Sequence, residues 1–215
     1  MPSLRTARMT GAFYLALAVT GMIGFLLLRP RLDEGAAVAE HPTLAQAMVF
    51  VELLTVLSQA LAAAWFYRLF RSADPVSAAG VAAFGVVNAV VILVSAAMLS
   101  TAATTDPATS KTLFLISENL WSVGGIFFGL WLIPMGTAVL STGWMPRALG
   151  WVLVAGSVGY VASALVKALA PDAATVADLL TFPASVGEFW IVGYLLIFGV
   201  KERQSGGSPK VDLIR

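Results

Sequence analysis

Six long apolar runs divide this chain, and the connections between them are short and rich in turn formers. A helix needs roughly 20 apolar residues to cross a hydrocarbon core of about 30 Å. The runs extend from Gly11 to Leu28, Leu44 to Phe70, Asp74-Pro75 to about Ser100, Thr112 to Leu140, Pro146 to Ala170, and about Val176 to Val200. Between them lie His41-Pro42-Thr43, Asp106-Pro107, Ser141-Thr142-Gly143 and Pro171-Asp172. Asp74 before Pro75 reads as an N-cap followed by proline at the first helical position. Ala37-Val38-Ala39 has the look of a signal cleavage site. The first apolar run, however, is 18 residues long and a charged stretch separates it from those alanines, so it reads as a retained span. The expectation is an all-α polytopic membrane protein: six transmembrane helices within residues 1–203, then a disordered tail over 204–215.

Composition narrows the chemistry. Of 215 residues, 59% are hydrophobic and 12% charged, about half the charged share of an ordinary soluble domain. The net charge of +1 gives no pull toward nucleic acid. The absence of cysteine removes disulfides, thiol nucleophiles and iron–sulfur clusters, and the single histidine, His41, leaves no histidine metal cluster. Serine and threonine hydroxyls have no histidine base beside them, so no catalytic residue, metal site or cofactor is assigned. His41 reads as a solvated loop residue. Trp65, Tyr67, Trp144 and Trp151 read as an aromatic belt at the cytoplasmic interface.

Lysine and arginine set the orientation. With the N-terminus inside, nine basic residues fall on the cytoplasmic side: Arg5, Arg8, Arg68, Arg71, Arg147, Lys201, Arg203, Lys210 and Arg215. Four fall outside: Arg29, Arg31, Lys111 and Lys167. Both termini are therefore expected in the cytoplasm.

Glu52, Glu118 and Glu188 interrupt the second, fourth and sixth runs. Ionisable residues at membrane depth are functional candidates by default, because hydrocarbon cannot solvate them. At about 2.5–3.5 kcal/mol each, three bare carboxylates would cost roughly 8–10 kcal/mol, so they must be protonated, paired or near water. Counting residues from the outer ends puts Glu118, Glu52, Glu188 and Asn88 in one polar layer in the outer half of the bilayer. Gln59 and Asn119 are candidate neighbours. Lys167, one turn beyond Ser163, is the base counted as near the acids. The acids are accordingly read as a coupled cluster able to carry protons, bind a cation or hold an amine-bearing ligand.

Small residues mark candidate packing faces, Gly125-x-x-x-Gly129 on the fourth run and Ala155, Gly159 and Ser163 on the fifth. Pro134 and Pro183 are expected to kink their spans. Glu52 and Glu118 are each followed thirteen positions later by tryptophan (Trp65, Trp131), which allows a repeat of helical hairpins or mere similarity of loop lengths.

Four stretches carry a family likeness: Arg8-Met9-Thr10-Gly11-Ala12-Phe13-Tyr14, Trp131-Leu132-Ile133-Pro134-Met135-Gly136, the loop Ser141-Thr142-Gly143-Trp144-Met145-Pro146-Arg147-Ala148-Leu149-Gly150, and Gly187-Glu188-Phe189-Trp190. Together they resemble a bacterial family of six-span membrane proteins catalogued as a domain of unknown function. The resemblance implies a multi-pass protein of the bacterial inner membrane and carries over no catalytic residue. The functional expectation is a small proton- or cation-coupled transporter or ligand-binding protein. Its partners are the lipid bilayer and a small-molecule or cation ligand, with oligomerisation open and nucleic acid excluded. The alternative is a non-catalytic sensor or assembly subunit whose buried glutamates are structural.

Overall fold

A computed structural model of the chain describes residues 2–32 and 37–200. The tail expected over 204–215 lies outside the described residues. Helix α1 (Leu4–Met22) continues through a wide π turn (Ile23–Leu28) and a tight turn (Arg29–Arg31), and a one-turn α2 (Ala37–Glu40) follows. Then come α3 (Pro42–Phe70), α4 (Pro75–Ala102), α5 (Pro107–Thr142) and α6 (Arg147–Leu169). The last span is broken into α7 (Ala174–Leu180) and α8 (Phe182–Ile197). Among the described residues there is no strand, and six helices are long and apolar enough to cross a membrane. The chain is an all-α, multi-pass bundle.

Capping explains the boundaries, including the one that the apolar pattern placed late. Asp74 accepts the Ser77 backbone N–H at 3.0 Å and the Ser141 hydroxyl at 2.7 Å. Partial burial pushes its carboxyl up, but these donors outweigh burial and hold it below the usual range. Asp106 plays the same part for α5, accepting from the N–H groups of Ala108 and Thr109. Helix α5 therefore starts at Pro107 rather than Thr112. Its 36 residues span about 54 Å at 1.5 Å per residue, so its ends project beyond a hydrocarbon core of about 30 Å. Gly143, at φ +65°, adopts the left-handed conformation that ends α5, which only glycine takes without strain.

Each long helix packs on the next in sequence, and α8 closes the ring by packing on both α1 and α6. Gly199, at the end of α8, lies against Leu4 and Ala7 at the start of α1. Both ends of the described chain thus share one face of the bundle, the terminal face.

The half of the ring toward that face is filled. Trp131, Phe66 and Tyr14 meet edge to face at its centre, with ring centroids 5.2–5.9 Å apart, the geometry favoured by aromatic quadrupoles. Phe70 stacks on Trp144 below them at 6.2 Å. Trp144 is thus a core residue, buried to 6%, and not a member of an interfacial belt. Trp151 and Tyr67 are exposed on the outside of the bundle. Toward the opposite face, Leu32, Met48, Leu99 and Phe114 pack the α3–α4–α5 side.

Close helix approach falls on two of the anticipated glycines, Gly129 and Gly159, but not on Gly125. A Cβ on Gly125 would meet nothing within 4 Å. One on Gly129 would lie 3.0 Å from the Ser157 carbonyl, and one on Gly136 2.7 Å from the Gly150 carbonyl. The α5–α6 seam is therefore Gly129 and Gly136 against Gly150 and Ser157. On α6, Ala155 is exposed, whereas Gly156 meets α8 at Ala184. Pro134 lies inside an unbroken α5, while Pro183 opens α8 just beyond the break at Thr181.

Candidate functional site

The three glutamates occupy different environments. Glu52, on α3, is 1% exposed and sits opposite Arg29 at the end of α1, with Nη2 to Oε1 2.7 Å apart. Trp121 donates its indole N–H to the same oxygen at 2.9 Å, and the Ser95 hydroxyl donates at 3.3 Å. Arg29 also donates to Ser117, whose hydroxyl lies 2.8 Å from that of Ser95. The rings of Phe114 and Trp121 cover the guanidinium at 5.8 and 5.9 Å, close enough for a cation–π contribution. Arg29 Nε and Nη1 and Glu52 Oε2 are buried with no hydrogen-bond partner among the described residues. This corrects two expectations: Arg29 is not an outer-loop residue, and Lys167 is not the sole base near the acids. The helical turns from Ile23 to Arg31 keep α1 wound past its last apolar residue, which carries Arg29 into the bundle.

Gln59 and Asn88 form a second closed unit. The Asn88 amide donates to Gln59 Oε1 at 3.2 Å between α3 and α4, and both residues are buried.

Glu118, Glu188, Asn119 and Lys167 instead line one cavity of about 760 Å³ bounded chiefly by α1, α5, α6 and α8. Lys167 pairs with Asp178 at 2.8 Å, not with a glutamate. Because Asp178 is 68% exposed, this pair belongs to the rim, on the face opposite the termini. Glu188 lies toward the closed end. Tyr14 donates its hydroxyl to Glu188 Oε1 at 2.6 Å, and Tyr160 donates to Oε2 at 3.3 Å. Tyr160 stacks on Phe128 at 6.0 Å, and Tyr14 is held edge-on by Phe66 and Trp131. The aromatic plug that fills the terminal half of the ring is thus the floor on which Glu188 rests.

Height separates the two cavity glutamates. Glu118 and Phe128 are ten residues apart on α5, about 15 Å along the axis, and Phe128 marks the level of Tyr160 and Glu188. The single polar layer read from residue counting thus resolves into a buried ion pair whose Arg29 also borders the cavity, a buried amide pair, and a tall cavity with acids at two levels. The paired Glu–Trp spacing is no structural repeat: Glu52 is enclosed and Glu118 faces the cavity, while Trp65 packs on Phe13 near the edge and Trp131 fills the centre.

Tyr14, Tyr160 and Arg29 escaped the sequence reading as site residues. Tyr14 closes one of the family-like stretches and Glu188 lies in another, so the structure joins two parts of that pattern through one hydrogen bond. Among the described residues no group of three or more His, Cys, Asp or Glu side chains converges as a metal site.

Six spans around a largely apolar cavity that holds acids at two levels define a polytopic helical membrane protein. The family model described as a domain of unknown function, DUF4386, matches residues 9–199, and the chain belongs to that family. No curated protein and no solved structure matches it.

Proposed function

We propose that the protein is a small proton- or cation-coupled transporter or ligand-binding protein of the bacterial inner membrane, with both termini cytoplasmic. The observation that carries this reading is the Glu188 carboxylate at the closed end of a cavity of about 760 Å³. It is held by two tyrosine hydroxyls, with no basic side chain within 4 Å among the described residues. An acid in hydrocarbon that is oriented but not neutralised by a cation of its own is arranged to accept one from the cavity. The rim pair Lys167–Asp178 sits where a solute would enter, and the aromatic plug closes the opposite side, as alternating access requires of one state. Moving Arg29 into the bundle leaves three basic residues in the outer set against nine inside, which strengthens the assigned orientation.

The alternative, a sensor or assembly subunit, draws on Glu52. Its ion pair with Arg29 is buried between helices, which a structural role explains.

Reconstitution into liposomes loaded with a pH-sensitive dye separates the two. Under an imposed potassium diffusion potential, the transporter reading expects proton flux above that of protein-free liposomes, falling to that background in Glu188→Gln. Wild-type flux equal to the protein-free control would favour the structural reading.

A further inference from the structure

We propose that the closed end of the cavity is a binding site for a lipophilic organic cation whose charge is shielded, a quaternary ammonium or phosphonium in chemical class. The inference rests on the reading of Glu188 as the cavity's cation acceptor and names what it accepts.

Charge is the first argument. Among the described residues the ion pairs are Arg29–Glu52 and Lys167–Asp178, so neither base is at the floor to neutralise Glu188. The ligand brings the positive charge.

The nature of the cation follows from the hydrogen bonds. Each Glu188 oxygen already accepts a phenol, at 2.6 and 3.3 Å. A primary ammonium would bring three N–H donors to walls that are chiefly aromatic and aliphatic around that one carboxylate. A hard metal ion needs about six oxygen ligands, whereas the floor offers one carboxylate and its two phenols among chiefly aromatic and aliphatic walls. A cation without N–H groups leaves those bonds intact and is attracted by the carboxylate through space.

The walls supply the rest. Tyr160, Phe128, Tyr14 and Phe189 line the cavity around the carboxylate, and aromatic faces attract quaternary cations. Leu17 and Val192 add apolar surface for the body of the ligand. A volume of about 760 Å³ is in the range of sites that hold drug-sized molecules, about 300–1,000 Å³.

Equilibrium dialysis of purified protein in detergent against tetraphenylphosphonium tests this, with tetraphenylborate as the isosteric anion. The phosphonium should bind saturably at one site per chain and the borate should not. Glu188→Gln should weaken phosphonium binding at least about tenfold. Phe128→Leu should weaken it about two- to tenfold through lost cation–π attraction. Leu57→Ala, on the exposed face of α3, should bind as wild type does. Equal binding of both ions, or unchanged binding in Glu188→Gln, overturns the proposal. Should Glu188→Gln fail to purify as a folded protein, the borate comparison and Phe128→Leu decide alone. Dye-detected proton flux without phosphonium binding would overturn the organic-cation class and leave the transport reading standing. Saturable, Glu188-dependent binding without flux would support the site and remove transport.

Discussion

Arg29 and Glu52 form an ion pair 2.7 Å long inside the bundle, with side chains 6% and 1% exposed. Removing one partner of such a pair leaves the other charge buried, at a cost of about 3–5 kcal/mol. Arg29→Met and Glu52→Leu should each lower stability by an amount of that order, read by thermal unfolding in detergent. Arg29→Met combined with Glu52→Leu should recover much of the loss, since a matched apolar pair is often neutral. Additive losses in that double-mutant cycle would mean that the two side chains are not coupled.

The Asp74 cap predicts a pH dependence with a definite sign. Its carboxyl is held low in the fold, so its contribution is complete above the unfolded value of about 3.9 and is lost as pH falls through the lower, folded value. Asp74→Ala should cost about 0.5–2 kcal/mol at neutral pH, and the gap to wild type should close in strong acid. Asp74→Asn keeps the cap and should flatten the pH dependence. Thermal melts of the three proteins between pH 7 and pH 2 check both statements, and a gap unchanged down to pH 2 would contradict the assignment.

Helix seams predict which glycines resist substitution. A Cβ at Gly156 would fall 2.5 Å from the Ala184 Cα, backbone that cannot swing aside, whereas one at Gly125 meets nothing within 4 Å. Gly156→Ala should therefore lose about 1–3 kcal/mol through overpacking. Gly125→Ala should be neutral or slightly stabilising, because alanine is the better helix former. Parallel unfolding curves for the two variants decide it, and the reverse order would contradict the seam.

The six spans were legible because hydrocarbon demands long apolar helices, and their number and order hold. Boundaries are legible where the Asp-Pro cap adjoins the apolar run, as at Asp74-Pro75, and read late at Asp106-Pro107, where Thr109-Ser110-Lys111 separates cap from run. Lys167, Glu118, Asn119 and Glu188 do reach a common cavity, but sequence spacing cannot tell which face of a helix meets which neighbour. That is why Glu52, Gln59 and Asn88 were grouped with them although their own partners enclose them. Arg29 was missed because an arginine beside proline at the end of an apolar run has the form of a stop signal. The fold instead continues the helix and supplies an acid. Tyr14 and Tyr160 carry no charge to betray them, and their role exists only once α1, α6 and α8 are brought together.

The most direct test of the central claim is whether water reaches Glu188 from the face opposite the termini. The chain is free of cysteine, so Ser185→Cys, one turn from Glu188 and lining the cavity, reports on that path without background. A membrane-impermeant cationic thiol reagent applied to intact cells should label Ser185→Cys. It should leave Phe66→Cys, in the plug at 0% exposure, unlabelled. An unreactive Ser185→Cys, or one labelled only from the terminal face in inverted vesicles, would contradict a cavity that leads from the opposite face to Glu188.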